Sequence, residues 1–315
     1  MKHLNSKQFL IDLKSKLYLL ILFFFIPLFV FNQTKPNFSL KVLGVVQDGG
    51  LPHLGSNKLC CENYEKRRYV TSIMLINNEN NESYLFDASP DINEQLNFMG
   101  DRIKKDLKGI FLTHAHIGHY TGLMYFGREA LNSKLINVYA MPRMKKFLEN
   151  NGPWSQLVSL KNISIKEINN NSKFSIDPNV IIQAIEVPHR AEFSETVGYK
   201  IYGPNKTALF IPDIDKWYLW ETSIVDEIMK VDYALIDATF YNSKEINYRD
   251  ISEIPHPFVI ESMELFDELD TKEKNKIYFI HLNHTNPLLD KNSDEYKYVI
   301  AKGYNIAEEG IKLEL

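Results

Sequence analysis

Short apolar runs of strand length recur along the chain, separated by longer stretches with helical spacing. Strands are predicted over Leu40–Val46, Ser72–Ile76, Tyr84–Asp87, Ile110–Thr113, Val138–Ala140, Val180–Val187, Val197–Tyr202, Ala208–Pro212, Tyr233–Asp237 and Ile277–His281. Helices are predicted over Asp91–Met99, Tyr120–Leu131, Arg143–Asn150, Lys216–Lys230, Pro257–Leu269 and Ser293–Gly303. The last has a serine at its start and a glycine at its end, a capping signal on both sides. Interleaved strands and helices predict an α/β domain in which helices cover sheets. No Gly/Ser linker or long charge run divides residues 34–315, so they are read as one domain.

The first 33 residues follow a different pattern. Lys2, Lys7, Lys14 and Lys16 precede Leu17–Phe31, a run that is apolar on every face. A basic region followed by an apolar core is the layout of an export signal. The run is shorter than the roughly 20 residues of a comfortable membrane span. Asn32-Gln33-Thr34 follows instead of a small-residue cleavage site, which leaves an uncleaved amino-terminal anchor as the alternative. The expected location is the periplasm or envelope of a bacterium, with a membrane tether if the segment is retained. The net charge is −4 and no Lys/Arg block stands out, so nucleic-acid binding has no electrostatic support and a small-molecule substrate is expected. The two cysteines, Cys60 and Cys61, are adjacent and give no disulfide framework.

Candidate chemistry concentrates where strands end. His114-Ala115-His116-Ile117-Gly118-His119 follows the apolar run Gly109–Thr113. Imidazole is the commonest metal-binding side chain, and a turn just past a strand can aim several at one point. Asp87, His189, Asp213 and His281 also stand at predicted strand ends, and His284 follows three residues on. Groups along one sheet edge can converge, because the scaffold fixes their relative positions.

In this order His114, His116, His119, His189, Asp213 and His281 resemble the ligand series of the metallo-β-lactamase fold superfamily, His-x-His-x-Asp-His, then His, Asp and His. The resemblance runs over residues 40–290 and implies an αββα four-layer sandwich. It further implies that His114, His116 and His189 bind a first metal, that His119 and His281 hold a second, and that Asp213 bridges. Asp87 would orient the histidine loop without binding metal. Val46–Gly55, His116–Met124, Val187–Tyr199 and Phe279–Pro287 look like the branch of pyrroloquinoline quinone biosynthesis protein B and its relatives. A more distant resemblance is to the cyclic-phosphate phosphodiesterases of phosphonate breakdown.

Three departures qualify the resemblance. Gly118 stands where the family has a metal-binding Asp, so the second site is expected to be weak, empty or completed by water. Ser56 replaces the first cysteine of a structural zinc site found in relatives; Cys60 and Cys61, with His53 or His284, are the remaining candidates, and a pair of buried free thiols is the alternative. Many members of the branch lack the first two histidines of the cluster, and this chain keeps both. The expected cofactor is zinc, one or two ions, with iron or manganese as alternatives.

These residues suggest a metallo-hydrolase of an ester, lactone or phosphodiester, with a metal-bound hydroxide as nucleophile. The competing readings are an iron-dependent oxygenase linked to quinone-cofactor synthesis and a non-catalytic metalloprotein. Asp213 would accept a proton from the attacking water. His256 would protonate a leaving group or bind substrate, or is merely a residue at a helix start. Asp237 and Tyr241 would face the pocket. Arg190 would hold a substrate anion or else pair with a neighbouring acid. Trp217, Tyr218 and Trp220 are expected to pack in the core.

Overall fold

The computed structural model describes residues 38–62, 66–98, 106–246 and 254–315. The expected export segment lies outside them. The described residues fall within one compact unit, Pro36–Leu315. No helix among them is long and apolar enough to cross a membrane.

Among the described residues, fourteen strands form two sheets of seven. The first runs, in spatial order, β14 (Lys312–Glu314), β1 (Phe38–Gly44), β2 (Ser72–Asn77), β3 (Ser83–Phe86), β4 (Leu107–Phe111), β5 (Ile136–Ala140) and β6 (Ile163–Glu167). The second runs β13 (Asn305–Ile306), β12 (Ile277–Ile280), β11 (Tyr233–Asp237), β10 (Thr207–Ile211), β9 (Val197–Tyr202), β8 (Val180–Glu186) and β7 (Lys173–Asp177).

Central strands are apolar on both faces because both faces are covered. Phe86 and Phe111 point inward and stack with centroids 4.9 Å apart, meeting Tyr199 and Phe210 of the other sheet. Their neighbours Leu85 and Ile110 point outward and pack with Met144 and Leu148 of the helix Pro142–Asn150. On the second sheet Leu209 and Ile211 pack outward with Ile224, Ile228 and Phe266. The result is the helix–sheet–sheet–helix sandwich expected from the sequence.

Two expected helices are shorter and broken. Tyr120–Leu131 resolves into a helix Ile117–Tyr120 and a 3₁₀ segment Thr121–Phe126. Lys216–Lys230 resolves into a 3₁₀ turn Trp217–Leu219 and a helix Ile224–Met229, started by Ser223, whose hydroxyl accepts from Asp226 N–H.

Strand direction positions the site. β3, β4 and β5 are mutually parallel, and β1 is antiparallel to β2, which is antiparallel to β3. β10, β11 and β12 are parallel, and β8 lies two antiparallel steps from β10. The chain therefore leaves β1, β3, β4, β8, β10, β11 and β12 at the carboxyl ends of like-directed strands in each sheet. Val46 joins the two edges through isolated bridges to Val70 and Leu282.

Candidate metal centre

Nine site side chains come from those carboxyl ends. Asp48 follows β1, Asp87 follows β3 and the histidine cluster follows β4. His189 follows β8, Asp213 follows β10, Asp237 closes β11 and His281 follows β12. Asp87 and His281 both adopt positive φ, 66° and 64°. Non-glycine residues occupy this left-handed region only when their surroundings impose it, at a cost of about 1–3 kcal/mol. Here it turns each side chain out of its strand line.

Asp213 is the centre. Its Oδ2 lies 3.3 Å from His114 Nε2, 3.9 Å from His116 Nδ1, 3.8 Å from His119 Nε2 and 3.9 Å from His281 Nε2. Its Oδ1 lies 3.3 Å from His189 Nε2, which is 3.4 Å from His116 Nδ1. His114, His116, His189 and Asp213 each offer an atom within 4.8 Å of all the others, and so do Asp48, His119 and His281. Asp213, Asp237 and His281 form a third such group.

The far nitrogens are held by oxygen. His119 Nδ1 meets Asp87 Oδ2 at 2.7 Å and His189 Nδ1 meets Asp215 Oδ1 at 2.9 Å. Thr113 Oγ1 lies 3.0 Å from His114 Nδ1, and Thr239 Oγ1 lies 3.0 Å from His281 Nδ1. Asp87 also accepts from Thr113 N–H and Thr113 Oγ1. Such contacts fix the tautomer and leave the inward nitrogen with a lone pair.

The inward atoms are unsatisfied. His114 Nε2, His119 Nε2, His281 Nε2 and Asp213 Oδ1 are buried with no hydrogen-bond partner. Buried polar atoms are rarely left so, and a cluster of them asks for an ion. Tetrahedral zinc with Zn–N bonds of about 2.0–2.1 Å would separate its ligands by ~3.4 Å. The contacts among His114, His116, His189 and Asp213 are 3.3–3.9 Å, so three imidazoles and a carboxylate fit a zinc-like transition metal.

Charge follows the same layout. Burial pushes the Asp213 carboxyl up, but His189, His256 and His281 outweigh it and hold the group well below the usual carboxylate range. Burial pulls His189 down, yet Asp213 and Asp215 raise it to about 9. His114 falls well below its ordinary value through burial and the neighbouring His119.

His256 belongs to the site. Its Nδ1 lies 2.8 Å from Asp237 Oδ2 and 3.2 Å from Asp213 Oδ1. Burial lowers its pKa, but Asp237 and Asp213 dominate and raise it well above the imidazole norm. Asp237 is fully buried and orients His256, so it is not the substrate contact expected from the sequence. Tyr241 lies in the hydrophobic core over the second sheet. Arg190 is 71% exposed and pairs with Glu192 at 3.3 Å, the bland alternative for it. Trp217 and Trp220 are buried, whereas Tyr218 is 82% exposed and departs from the expected core packing.

The cysteine site does not assemble among the described residues. Cys60 and Cys61 sit together on a helix Leu59–Glu62 with sulfurs 3.9 Å apart, and no metal-capable group includes either. Cys61 Sγ accepts from His53 N–H, while His284 stacks on His53 and meets Ser56 Oγ at 3.1 Å. Burial and Cys61 push the Cys60 thiol up to about 11, against thiolate formation. Sequence reasoning missed Asp48 and Asp215. Both follow strands and could have been found by the strand-end rule that found Asp87 and Asp213.

Comparison with known proteins agrees with this geometry. A β-lactamase superfamily domain matches residues 82–282. The chain belongs to that superfamily. Coenzyme PQQ synthesis protein B of Gluconobacter oxydans is 24% identical, over 87% of this chain and 97% of that protein. The Klebsiella pneumoniae protein of that name is 26% identical, over 88% and 98%. Among solved structures, Zn²⁺-bound PqqB from Methylobacterium extorquens superposes with a TM-score of 0.73 at 21% identity, covering 88% of this chain and 100% of that one. A diphosphatase of the PhnP family gives 0.62 at 21% identity, covering 89% and 97%. These likenesses establish the metallo-β-lactamase fold.

Proposed function

We propose that this protein is a metal-dependent hydrolase of an ester, lactone or phosphodiester. The observation that carries the reading is the convergence of His114, His116, His189 and Asp213, with His114 Nε2 and Asp213 Oδ1 buried and unsatisfied. A divalent metal held by these residues would lower the pKa of a coordinated water to about 7 and polarise the oxygen that gains charge in the substrate.

The chain's own groups supply the rest. Asp213 is held ionised, so it accepts a hydrogen bond from the attacking water and orients it; it is a poorer proton store than the sequence suggested. His256 donates a hydrogen bond from Nδ1–H to Asp237 and stays protonated at neutral pH, so its Nε2 can deliver a proton to the leaving group. Access is from the side of Asp48 and His116, the more exposed members at 25% and 16%. Glu192 stands there, 3.7 Å from His116 Nε2.

The test is turnover by zinc-loaded protein of a nitrophenyl ester, a lactone and bis(p-nitrophenyl) phosphate. At least one should be hydrolysed, and His116→Ala should abolish it with loss of bound metal. Absence of turnover above the His116→Ala background on the whole panel overturns the reading.

A second reading is favoured by the curated relatives, which are named for coenzyme PQQ synthesis. On it the site would take iron and act oxidatively in quinone-cofactor formation. Oxygen consumption by iron-loaded protein, with zinc-loaded protein inert towards esters, would select it.

A further inference from the structure

Gly118 occupies the place where the superfamily's histidine motif carries a carboxylate. The space that a side chain would need there is already filled. A Cβ built on Gly118 would lie 2.1 Å from Asp48 Oδ1, 2.8 Å from Asp48 Cα and 3.0 Å from Asp48 Cγ. Backbone as well as side chain of Asp48 stands in the way, so the two positions cannot both carry one. Gly118 N–H donates to Asp48 Oδ1 at 3.1 Å, which seats the carboxylate in that gap.

We propose that Asp48 replaces the missing motif carboxylate, so that Asp48, His119, His281 and Asp213 form a second site for a divalent transition metal. The proposal rests on the metal-binding reading above and extends it to a second ion. Asp48 Oδ1 faces His119 Nε2 at 3.4 Å. His119 Nε2 and His281 Nε2 are fully buried and lack any hydrogen-bond partner. Asp213 Oδ2 closes the set from the first site, 3.8 and 3.9 Å from those nitrogens. Two imidazoles and two carboxylates give the second ion the negative charge that the histidine motif alone would deny it. A glycine is then required at 118 because the carboxylate arrives from β1, through Val46-Gln47-Asp48, instead of from the motif.

The exchange is tested by counting zinc per chain after equilibration and gel filtration, with cobalt(II) absorption as a second readout and Tm as the check on folding. The native chain should hold about two ions, and Asp48→Asn about one, although asparagine keeps the shape and an acceptor for Gly118 N–H. Gly118→Asp alone should also fall to about one, because two carboxylates compete for one gap. Retention of both ions by Asp48→Asn overturns the exchange. One ion in the native chain sinks this proposal while sparing the first site; none sinks the metal-binding reading itself.

Discussion

An imidazole has two nitrogens, and at this centre one of them is tied to oxygen so that the other can be left bare. Asp87 shows how much depends on one such tie. It accepts from Thr113 N–H, Thr113 Oγ1 and His119 Nδ1 while sitting at a φ of 66°. Asparagine tolerates that backbone well but brings a donor among donors and removes the charge. Asp87→Asn should therefore leave the fold intact and weaken zinc binding about 10- to 100-fold, read by competition with a chromophoric chelator. A change below twofold would show that the carboxylate does not orient the cluster. His256→Gln belongs to the same scale. Loss of a positioned acid should lower kcat by about 10²- to 10⁴-fold with metal content unchanged. Loss of metal in parallel would make His256 a ligand and not an acid.

Between elements, the helix Ile224–Met229 is pinned to the second sheet by a buried ion pair. Lys200 of β9 contacts Glu227, and Lys230 also meets Glu227, at 2.9 Å. Burial raises the Glu227 pKa, but hydrogen bonds from Lys200 and Lys230 outweigh it and hold it below the ordinary value. Glu227→Gln leaves the Lys200 charge without its partner, which should cost about 3–5 kcal/mol. A lowered carboxylate stabilises the fold at pH above its unfolded value of about 4.3 and loses that contribution as pH falls through the folded value. The Tm gap between native chain and variant should thus narrow on acidification from pH 7 to 3.5; a constant gap would place the effect in packing. The elements themselves were legible to different degrees. Ten expected strands are present because each carries an apolar run that is buried on at least one face, and on both faces in β2 and β10. β6 and β7 escaped notice because each lies at the free edge of its sheet, where Ser, Lys, Glu and Asp take three of the five positions. The helix expected over Lys216–Lys230 broke because Trp217 donates to Ser262 and Trp220 to the Glu186 carbonyl, which fixes the turn between them. In the site, strand-end histidines and aspartates could be read one by one. Asp48 could not be paired with His119, since nothing in the sequence shows that β1 and the cluster share an edge.

At the scale of the whole molecule, the metal centre is where the two sheets meet. His114, His116 and His119 come from the first sheet's edge, and His189, Asp213 and His281 from the second's. An ion bound there ties the halves together and binds only the folded chain, so it stabilises by about 4 kcal/mol at a thousandfold excess over Kd. At roughly 2–4 °C per kcal/mol, zinc should raise Tm by about 10 °C over chelator-treated protein. Protons oppose this gain. In the metal-free protein His189 titrates at about 9, because Asp213 and Asp215 favour its charged form over the penalty of burial. Zinc requires the neutral ring, so binding at pH 7.5 must expel that proton. Below pH 9 each unit of acidification should weaken the first site about tenfold for this proton alone, and above it the dependence should flatten. Calorimetry of zinc binding in buffers of different ionisation enthalpy reads the protons released. A release larger at pH 7.5 than at pH 10, where His189 is already neutral and only the proton of a coordinated water is left to expel, is the expected result. Zinc uptake with no proton release at pH 7.5 would mean that Asp213 does not hold His189 charged, and the electrostatic account of the centre would fail with it.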